Sequence, residues 1–165
     1  MVKEGQAAPD FKLQDDEGNW RSLADYRGLY LVLYFYPKDD TPGCTTEACS
    51  FRDEFSEFKT RGIAIVGVSA DSVESHQKFK SKFRLSYSLL SDPDKKTIKA
   101  YGVWKEKSMY GKKFMGIERT TFIIDGEGKI QKIFPKVKVA DHVKDILESF
   151  SAPRGLSGAA AGRWR

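Results

Sequence analysis

Both cysteines of this 165-residue chain lie in one short segment whose residue types suit sulfur chemistry. The segment, residues 37–49, reads Pro-Lys-Asp-Asp-Thr-Pro-Gly-Cys-Thr-Thr-Glu-Ala-Cys. It follows an apolar predicted strand, and its Pro-Gly pair opens a predicted helix, so Cys44 lies at a helix start. Unpaired backbone N–H groups and the helix dipole favour negative charge there, and the thiolate is the nucleophilic form of cysteine. We therefore expect Cys44 to be reactive, the alternative being a buried structural thiol.

The spacing of the second cysteine limits how it can be used. In a regular helix five residues rise about 7.5 Å and rotate about 140° beyond one turn, so the side chains of Cys44 and Cys49 point apart. A disulfide needs Cα atoms within about 7 Å and converging Cβ directions. If the two cysteines bond, the first turns of the helix must unwind. On spacing alone, Cys49 is either the partner of Cys44 or an ordinary helix cysteine.

Two further residues have a functional and a structural interpretation. Thr41, three residues before Cys44, is either a helix cap or a residue whose hydroxyl hydrogen-bonds a thiolate or a substrate oxygen. Arg119 forms a surface ion pair beside Glu118, or its guanidinium stabilises a sulfur anion and holds a polar substrate. The sequence does not place Arg119 near Cys44.

The two histidines, His76 and His142, are expected to be solvated on helix surfaces. A zinc site needs about four clustered ligands, and this chain has two scattered cysteines and two scattered histidines. We therefore expect no metal and no cofactor.

Strands and helices alternate along the chain, which predicts an α/β domain with a mixed sheet. In such sheets functional sites form beyond the carboxyl ends of strands, where Cys44 lies. Residues 105–108 are predicted as a polar connection anchored by Trp104, Tyr110 and Phe114. The predicted strands are Leu29–Tyr36, Ile63–Ser69, Tyr87–Leu90, Thr120–Ile124 and Lys129–Phe134, after a hairpin around residues 15–19; the predicted helices are Cys44–Arg61, Val73–Phe83 (capped by Asp71 or Ser72), Asp94–Tyr101 and Val139–Phe150.

Composition favours one ordinary globular domain over residues 1–150, followed by a flexible tail at 151–165. The net charge is +5, but the tail holds three arginines and no acid, which leaves 5 − 3 = +2 for the rest. Without a basic stripe we expect no nucleic-acid binding. No apolar run suggests a membrane span or leader, and two cysteines make no secreted disulfide framework. We expect a cytoplasmic protein, with a mature organellar form as the alternative.

The pattern Pro37-x-x-x-Thr41-x-x-Cys44 resembles the active-site signature of the peroxiredoxins. Cys49, the early Ala8-Pro9-Asp10-Phe11, Phe51-Arg52 and the late Glu-Arg-Thr-Thr-Phe-Ile-Ile-Asp of residues 118–125 are similar to the bacterioferritin comigratory protein, or peroxiredoxin Q, subfamily. The resemblance runs from about residue 3 to residue 150.

The resemblance implies a thioredoxin-like fold with an N-terminal β-hairpin extension, and a thiol-dependent peroxidase. Cys44 would attack hydrogen peroxide or an organic hydroperoxide and become a sulfenic acid. Cys49 would resolve it as an intramolecular disulfide, which thioredoxin or a similar dithiol protein reduces. Pro37 would shield Cys44, Thr41 would hydrogen-bond the thiolate and the peroxide, and Arg119 would stabilise the charge. A monomer is expected.

Two other functions fit a thiol at this position. One is a copper-carrying or disulfide-exchange module on the same fold, because thiolates suit copper(I). Copper-delivery relatives usually carry C-x3-C with a distant histidine, and disulfide oxidoreductases usually carry C-x2-C, whereas four residues separate the cysteines here. The other is a binding domain with an inert thiol.

Overall fold

A seven-stranded mixed sheet carries the cysteine segment at the carboxyl end of one of its interior strands. The computed structural model describes residues 2–150, so the predicted tail at 151–165 lies outside the described residues. The strands are β1 Lys12–Asp15, β2 Trp20–Ser22, β3 Tyr30–Phe35, β4 Ile63–Ser69, β5 Ser88–Ser91, β6 Trp104–Met109, β7 Lys112–Ile117, β8 Thr120–Ile124 and β9 Ile130–Phe134. The sheet order is β2-β1-β5-β4-β3-β8-β9, and β6 and β7 form a separate two-stranded sheet.

Five α-helices and one short 3-10 helix complete the described fold. They are α1 Pro42–Asp53, α2 Phe55–Thr60, α3 Val73–Phe83, α4 Lys96–Ala100 and α5 His142–Phe150, with the 3-10 helix at Leu23–Tyr26. The predicted α/β class and the N-terminal hairpin are confirmed, since β1 and β2 pair antiparallel. The cap of α3 is Ser72, whose hydroxyl accepts the backbone N–H of Ser75 at 3.1 Å. Along the described chain, no helix is both long and apolar enough to cross a membrane.

The interior strand β3 is buried on both faces, as its unbroken apolar sequence predicts. Leu33 and Phe35 point into one core, whereas Val32, Tyr34 and the following Tyr36 point into the other. This second core also contains Cys44 and packs against α1. The strand therefore delivers the chain to the start of α1 from a rigid, fully buried position.

Pairing in the sheet explains how residue 119 reaches the cysteine segment. β8 runs antiparallel to β3, with Thr120 opposite Phe35. The beginning of β8 therefore lies at the end of β3, where the chain leaves for α1. Arg119 directly precedes β8, and its carbonyl accepts the backbone N–H of Val137 at 2.8 Å.

Two predictions of secondary structure are wrong. The single helix predicted over Cys44–Arg61 begins earlier, at Pro42, and is interrupted at Glu54, whose ψ of 8° ends the α1 geometry. The interruption turns α2 onto β4, so that Phe58 is fully buried. The polar connection predicted at residues 105–108 is instead part of the β6–β7 hairpin, whose alternating charges concealed the strand pattern.

Candidate active site

Cys44 occupies the third position of α1, after Thr41 as N-cap and Pro42 as first helical residue. Its side chain is 2% exposed, so solvent reaches the sulfur only narrowly. Cys49 lies on the same continuous helix and is partly exposed. Neither thiol forms a disulfide. The structure thus holds the reduced, helical state in which the spacing keeps the two sulfur atoms apart.

The guanidinium of Arg119 joins the cysteine to an acidic side chain. Its Nη2–H donates to Cys44 Sγ at 3.3 Å, and its Nη1–H donates to Glu47 Oε1. Gly43 leaves room for this approach, because a Cβ on that residue would lie 3.2 Å from Arg119 Nη2 and the guanidinium would have to shift by a few tenths of an ångström. A cation therefore lies directly beside the sulfur, at the positive end of a helix.

Glu47 is the site residue that the sequence interpretation missed. It follows Cys44 by three positions, on the same face of α1, and is 1% exposed. Burial raises the pKa of Glu47 to about 7, although Arg119 acts in the opposite direction. Its Oε2 has no hydrogen-bond partner among the described residues. The sequence did contain a signal: the spacing of Glu47 puts it on the same helix face as Cys44, Ala48 and Phe51.

The charge of Arg119 is secured by its two partners. Burial opposes the positive charge, but the proximity of Glu47 and Cys44 outweighs it, so the pKa of the guanidinium lies above its ordinary value. Arg119 is thus a permanent cation in the site, as expected for arginine.

Thr41 and Pro37 flank the site, and neither side chain hydrogen-bonds the Cys44 sulfur. Thr41 is the N-cap residue of α1, but its hydroxyl makes no capping bond and instead donates to the Lys38 carbonyl at 2.9 Å. Thr41 is therefore the helix cap by position, as one of its two interpretations predicted, but its side chain makes no capping bond. Because the hydroxyl proton is already used, the oxygen can only accept a further hydrogen bond. Pro37 is half-buried just beyond the end of β3.

The β6–β7 hairpin brings a second cation towards the sulfur. Burial lowers the pKa of Lys107, Arg119 lowers it further, and Cys44 acts in the opposite direction. Lys107 lies opposite Phe114 in the hairpin register, so the two side chains share one face. No sequence signal identified this neighbour, because residues 105–108 were interpreted as a loop.

The two histidines are buried, so the expectation of solvated helix surfaces is wrong. His142 lies 2.8 Å from the Thr121 hydroxyl, and burial lowers its pKa to about 4. His76 is fully buried and, with Asp39 and Asp71, forms the one group of potential metal ligands within residues 2–150. The facing oxygen atoms of both carboxylates accept hydrogen bonds from neighbouring N–H and hydroxyl groups, so this group is a hydrogen-bonded network.

The family model described as AhpC/TSA matches residues 4–133. The chain is 53% identical to the Bacillus subtilis peroxiredoxin Bcp over 148 residues, which cover 90% of this chain and 94% of that protein. It is 52% identical to a putative Bcp peroxiredoxin of Coxiella burnetii, covering 88% and 97%. The chain belongs to the AhpC/TSA family of peroxiredoxins. This assignment favours the peroxidase over the copper-carrying, disulfide-exchange and inert-thiol alternatives.

Solved structures support the same assignment at the level of the fold. The bacterioferritin comigratory protein of Xanthomonas campestris, studied for its alkyl peroxide reduction activity, is 42% identical with a TM-score of 0.85, covering 91% of this chain and 98% of that one. BcpB of Mycobacterium tuberculosis is 36% identical with a TM-score of 0.82, covering 93% and 99%. The predicted thioredoxin-like peroxiredoxin fold is confirmed.

Replacing the buried carboxyl in Glu47→Gln changes how stability depends on pH. Because the pKa of Glu47 is about 7 in the folded protein and 4.5 ordinarily, its stabilising contribution is complete below pH 4.5 and is lost as pH rises through 7. Glutamine does not titrate, so the variant gains stability relative to wild type across this window, by on the order of 3 kcal/mol. Urea unfolding of both proteins at several pH values measures the difference.

The comparison between the two proteins also removes the opposing effect of His142. Its lowered pKa, about 4, gives stability that is present above pH 6.5 and lost as pH falls through 4, in both proteins alike. A stability difference that stays constant between pH 4.5 and 7 would show that Glu47 is not the titrating group.

Proposed function

We propose that this chain is a two-cysteine peroxidase that reduces hydrogen peroxide and organic hydroperoxides at Cys44. The observation that carries the proposal is the contact of 3.3 Å between the Arg119 guanidinium and the Cys44 sulfur, at the start of a helix that also bears Cys49. The cation and the helix dipole both stabilise negative charge on the sulfur. The low exposure of Cys44 excludes bulk water from the reacting atoms.

In the first step the Cys44 thiolate attacks the terminal oxygen of a peroxide, ROOH. The S–O bond forms as the O–O bond breaks, and the leaving oxygen takes a proton to become ROH or water. Arg119 lies where it stabilises the charge as it moves from sulfur to the leaving oxygen. Thr41 would accept a hydrogen bond from the peroxide, which fits the oxygen lone pairs left by its bond to Lys38. Pro37 would shield the entrance.

In the second step the Cys49 sulfur attacks the Cys44 sulfenic acid. A disulfide forms and water leaves, so the peroxide has taken two electrons from the two thiols. A dithiol protein then reduces the disulfide by thiol exchange. We take this reductant to be thioredoxin or a similar protein, and the enzyme to act as a cytoplasmic monomer.

Organic hydroperoxides fit the surroundings as well as hydrogen peroxide does. Phe114 is 44% exposed on the hairpin face that carries Lys107, whose pKa is affected by Arg119 and Cys44. An exposed apolar side chain on this hairpin face suits the organic part of a hydroperoxide. The alkyl peroxide reduction studied in the Xanthomonas campestris relative supports this substrate class.

Disulfide formation requires α1 to open between its start and Phe51. Phe51 is fully buried and stacks on Tyr34 at 4.6 Å between ring centroids, so it anchors the distal part of the helix. Ahead of it, the Tyr87 hydroxyl donates to the Ala48 carbonyl at 3.0 Å. This bond joins α1 to the residue that directly precedes β5, and it must break when the residues around Cys49 unwind.

Separate substitution of the two cysteines tests the proposed roles. Cys44→Ser should abolish peroxide consumption, because the hydroxyl of serine remains protonated and unreactive. Cys49→Ser should reduce one equivalent of peroxide per chain and then stop with thioredoxin as reductant, because no resolving thiol is present. Peroxide consumption is followed with and without reductant. Full cycling of Cys49→Ser would remove the role assigned to that residue.

Backbone opening is expected to follow oxidation. Amide hydrogen exchange, measured on reduced and oxidised protein, should show lost protection over residues 42–50 after oxidation, because their helical hydrogen bonds are broken. The strand β4, which does not contact the disulfide, is the internal reference. Equal protection of residues 42–50 in both states would contradict the unwinding step.

A further inference from the structure

A buried polar network surrounds Asp39, five residues before Cys44 and apart from the peroxide site. Asp39 Oδ1 accepts the Tyr36 hydroxyl at 2.6 Å, and its Oδ2 accepts the Ser75 hydroxyl at 2.7 Å. The same Oδ2 lies 2.7 Å from His76 Nδ1. Its backbone N–H donates to Asp71 Oδ2 at 2.8 Å. Asp39 is 7% exposed and His76 is fully buried, so the network lies largely inside the protein.

The contacts of His76 fix how many protons it shares with Asp39. His76 Nε2 lies 2.8 Å from the Leu90 carbonyl, which can only accept, so Nε2 carries a proton. Nδ1 faces the Asp39 carboxyl, so a second proton lies between these two groups. The pair is then an imidazolium beside a carboxylate, or a neutral imidazole beside a carboxylic acid. Either form is a short, buried, strongly directional hydrogen bond.

These bonds hold the residues that lead into α1. The segment 37–41 leaves β3, and Asp39 ties it to the β4–α3 connection through Asp71 and to α3 through Ser75 and His76. Asp40 then adopts a left-handed conformation, with φ of 57°, immediately before the N-cap Thr41. The position of Asp39 therefore sets the direction in which α1 begins.

None of these tethers comes from α1 itself. Tyr36 follows β3, Asp71 follows β4, and Ser75 and His76 belong to α3. Unwinding of residues 42–50 therefore breaks none of the bonds that hold Asp39. The segment can stay in place while the helix beyond it opens and closes.

We propose that the His76–Asp39 pair is a positioning device, which keeps segment 37–41 stationary so that Cys44 returns to Arg119 in every cycle. The proposal rests on the proposed function, because only a two-cysteine cycle requires α1 to open and reform. His76 and Asp39 do not touch the reacting atoms. They act through Thr41 and the start of α1.

Two substitutions of His76 separate its two hydrogen bonds. The amide nitrogen of His76→Asn matches Nδ1 and can still donate to Asp39, whereas that of His76→Gln matches Nε2 and can donate only to Leu90. We expect His76→Gln to slow the oxidation of Cys44 by one equivalent of peroxide roughly ten- to one-hundred-fold, as a displaced reacting group does. His76→Asn should keep most of the wild-type rate. Stopped-flow measurement of the second-order rate constant tests this difference.

Matched measurements separate positioning from general stability. Urea unfolding identifies conditions in which all variants are folded, and rates are compared there. Lys82→Ala is the control, because it removes an exposed ion pair from α3 to Asp40, 2.8 Å long, which contributes little. It should stay within about twofold of wild type. Equal rates for the two His76 variants, whether both slow or both unchanged, would overturn the proposal.

The wild-type protein gives a second test through one amide. The Asp39 N–H should exchange equally slowly in the reduced protein and in protein oxidised with diamide, while amides 44–50 lose protection only in the oxidised form. Faster exchange of the Asp39 amide on oxidation would show that the segment moves, and the proposal would fail. Diamide forms the disulfide without peroxide. If the protein did not react with peroxide, the proposed function would be refuted, but the exchange of the Asp39 amide would still test the positioning device.

Discussion

The position of the Arg119 guanidinium is the constraint on which the site depends. One planar cation donates to the Cys44 sulfur and to Glu47, and both partners lie on the buried face of the first turns of α1. The contact exists because β8 runs antiparallel to β3, so the residue before β8 meets the residues after β3. Gly43 leaves the space that the guanidinium occupies. The Cys44 sulfur, a cation and a helix N-terminus are thus brought together by sheet pairing rather than by sequence proximity.

The same helix must be ordered for one reaction and open for the next. Ordered, it places Cys44 beside Arg119 and keeps Cys49 apart. Its opening ahead of Phe51 is opposed by the bonds from Arg119 to Cys44 and Glu47 and by the bond from Tyr87 to Ala48, and single hydrogen bonds contribute about 1 kcal/mol each. The residues on either side are held independently of these bonds: Phe51 by stacking in the core, and Asp39 by four hydrogen bonds. Opening is therefore confined to the segment between two fixed points.

Much of this arrangement could be predicted from local patterns, and the rest depends on contacts distant in sequence. The apolar run of β3, the hairpin turns and the Pro-Gly helix start are local signals, and they gave the sheet and the location of Cys44. Glu47 and the two buried histidines were missed because the free-energy cost of burying them is offset by partners from other elements. Asp39 is such a partner for His76. The β6–β7 hairpin was missed because Lys105–Ser108 lacks apolar alternation. The interruption at Glu54 follows from the packing of α2 on β4, and no single residue in the segment predicts it.

The mechanism is tested most directly by the mass of one peptide after a single equivalent of hydrogen peroxide, with free thiols blocked by alkylation. Cleavage after Lys38 and Arg52 releases Asp39–Arg52, which contains both cysteines. The mechanism predicts rapid loss of two hydrogen atoms within that peptide and no alkylation. An unchanged peptide that is alkylated at both thiols would contradict it, since Cys44 would then not react with peroxide despite the cation beside it.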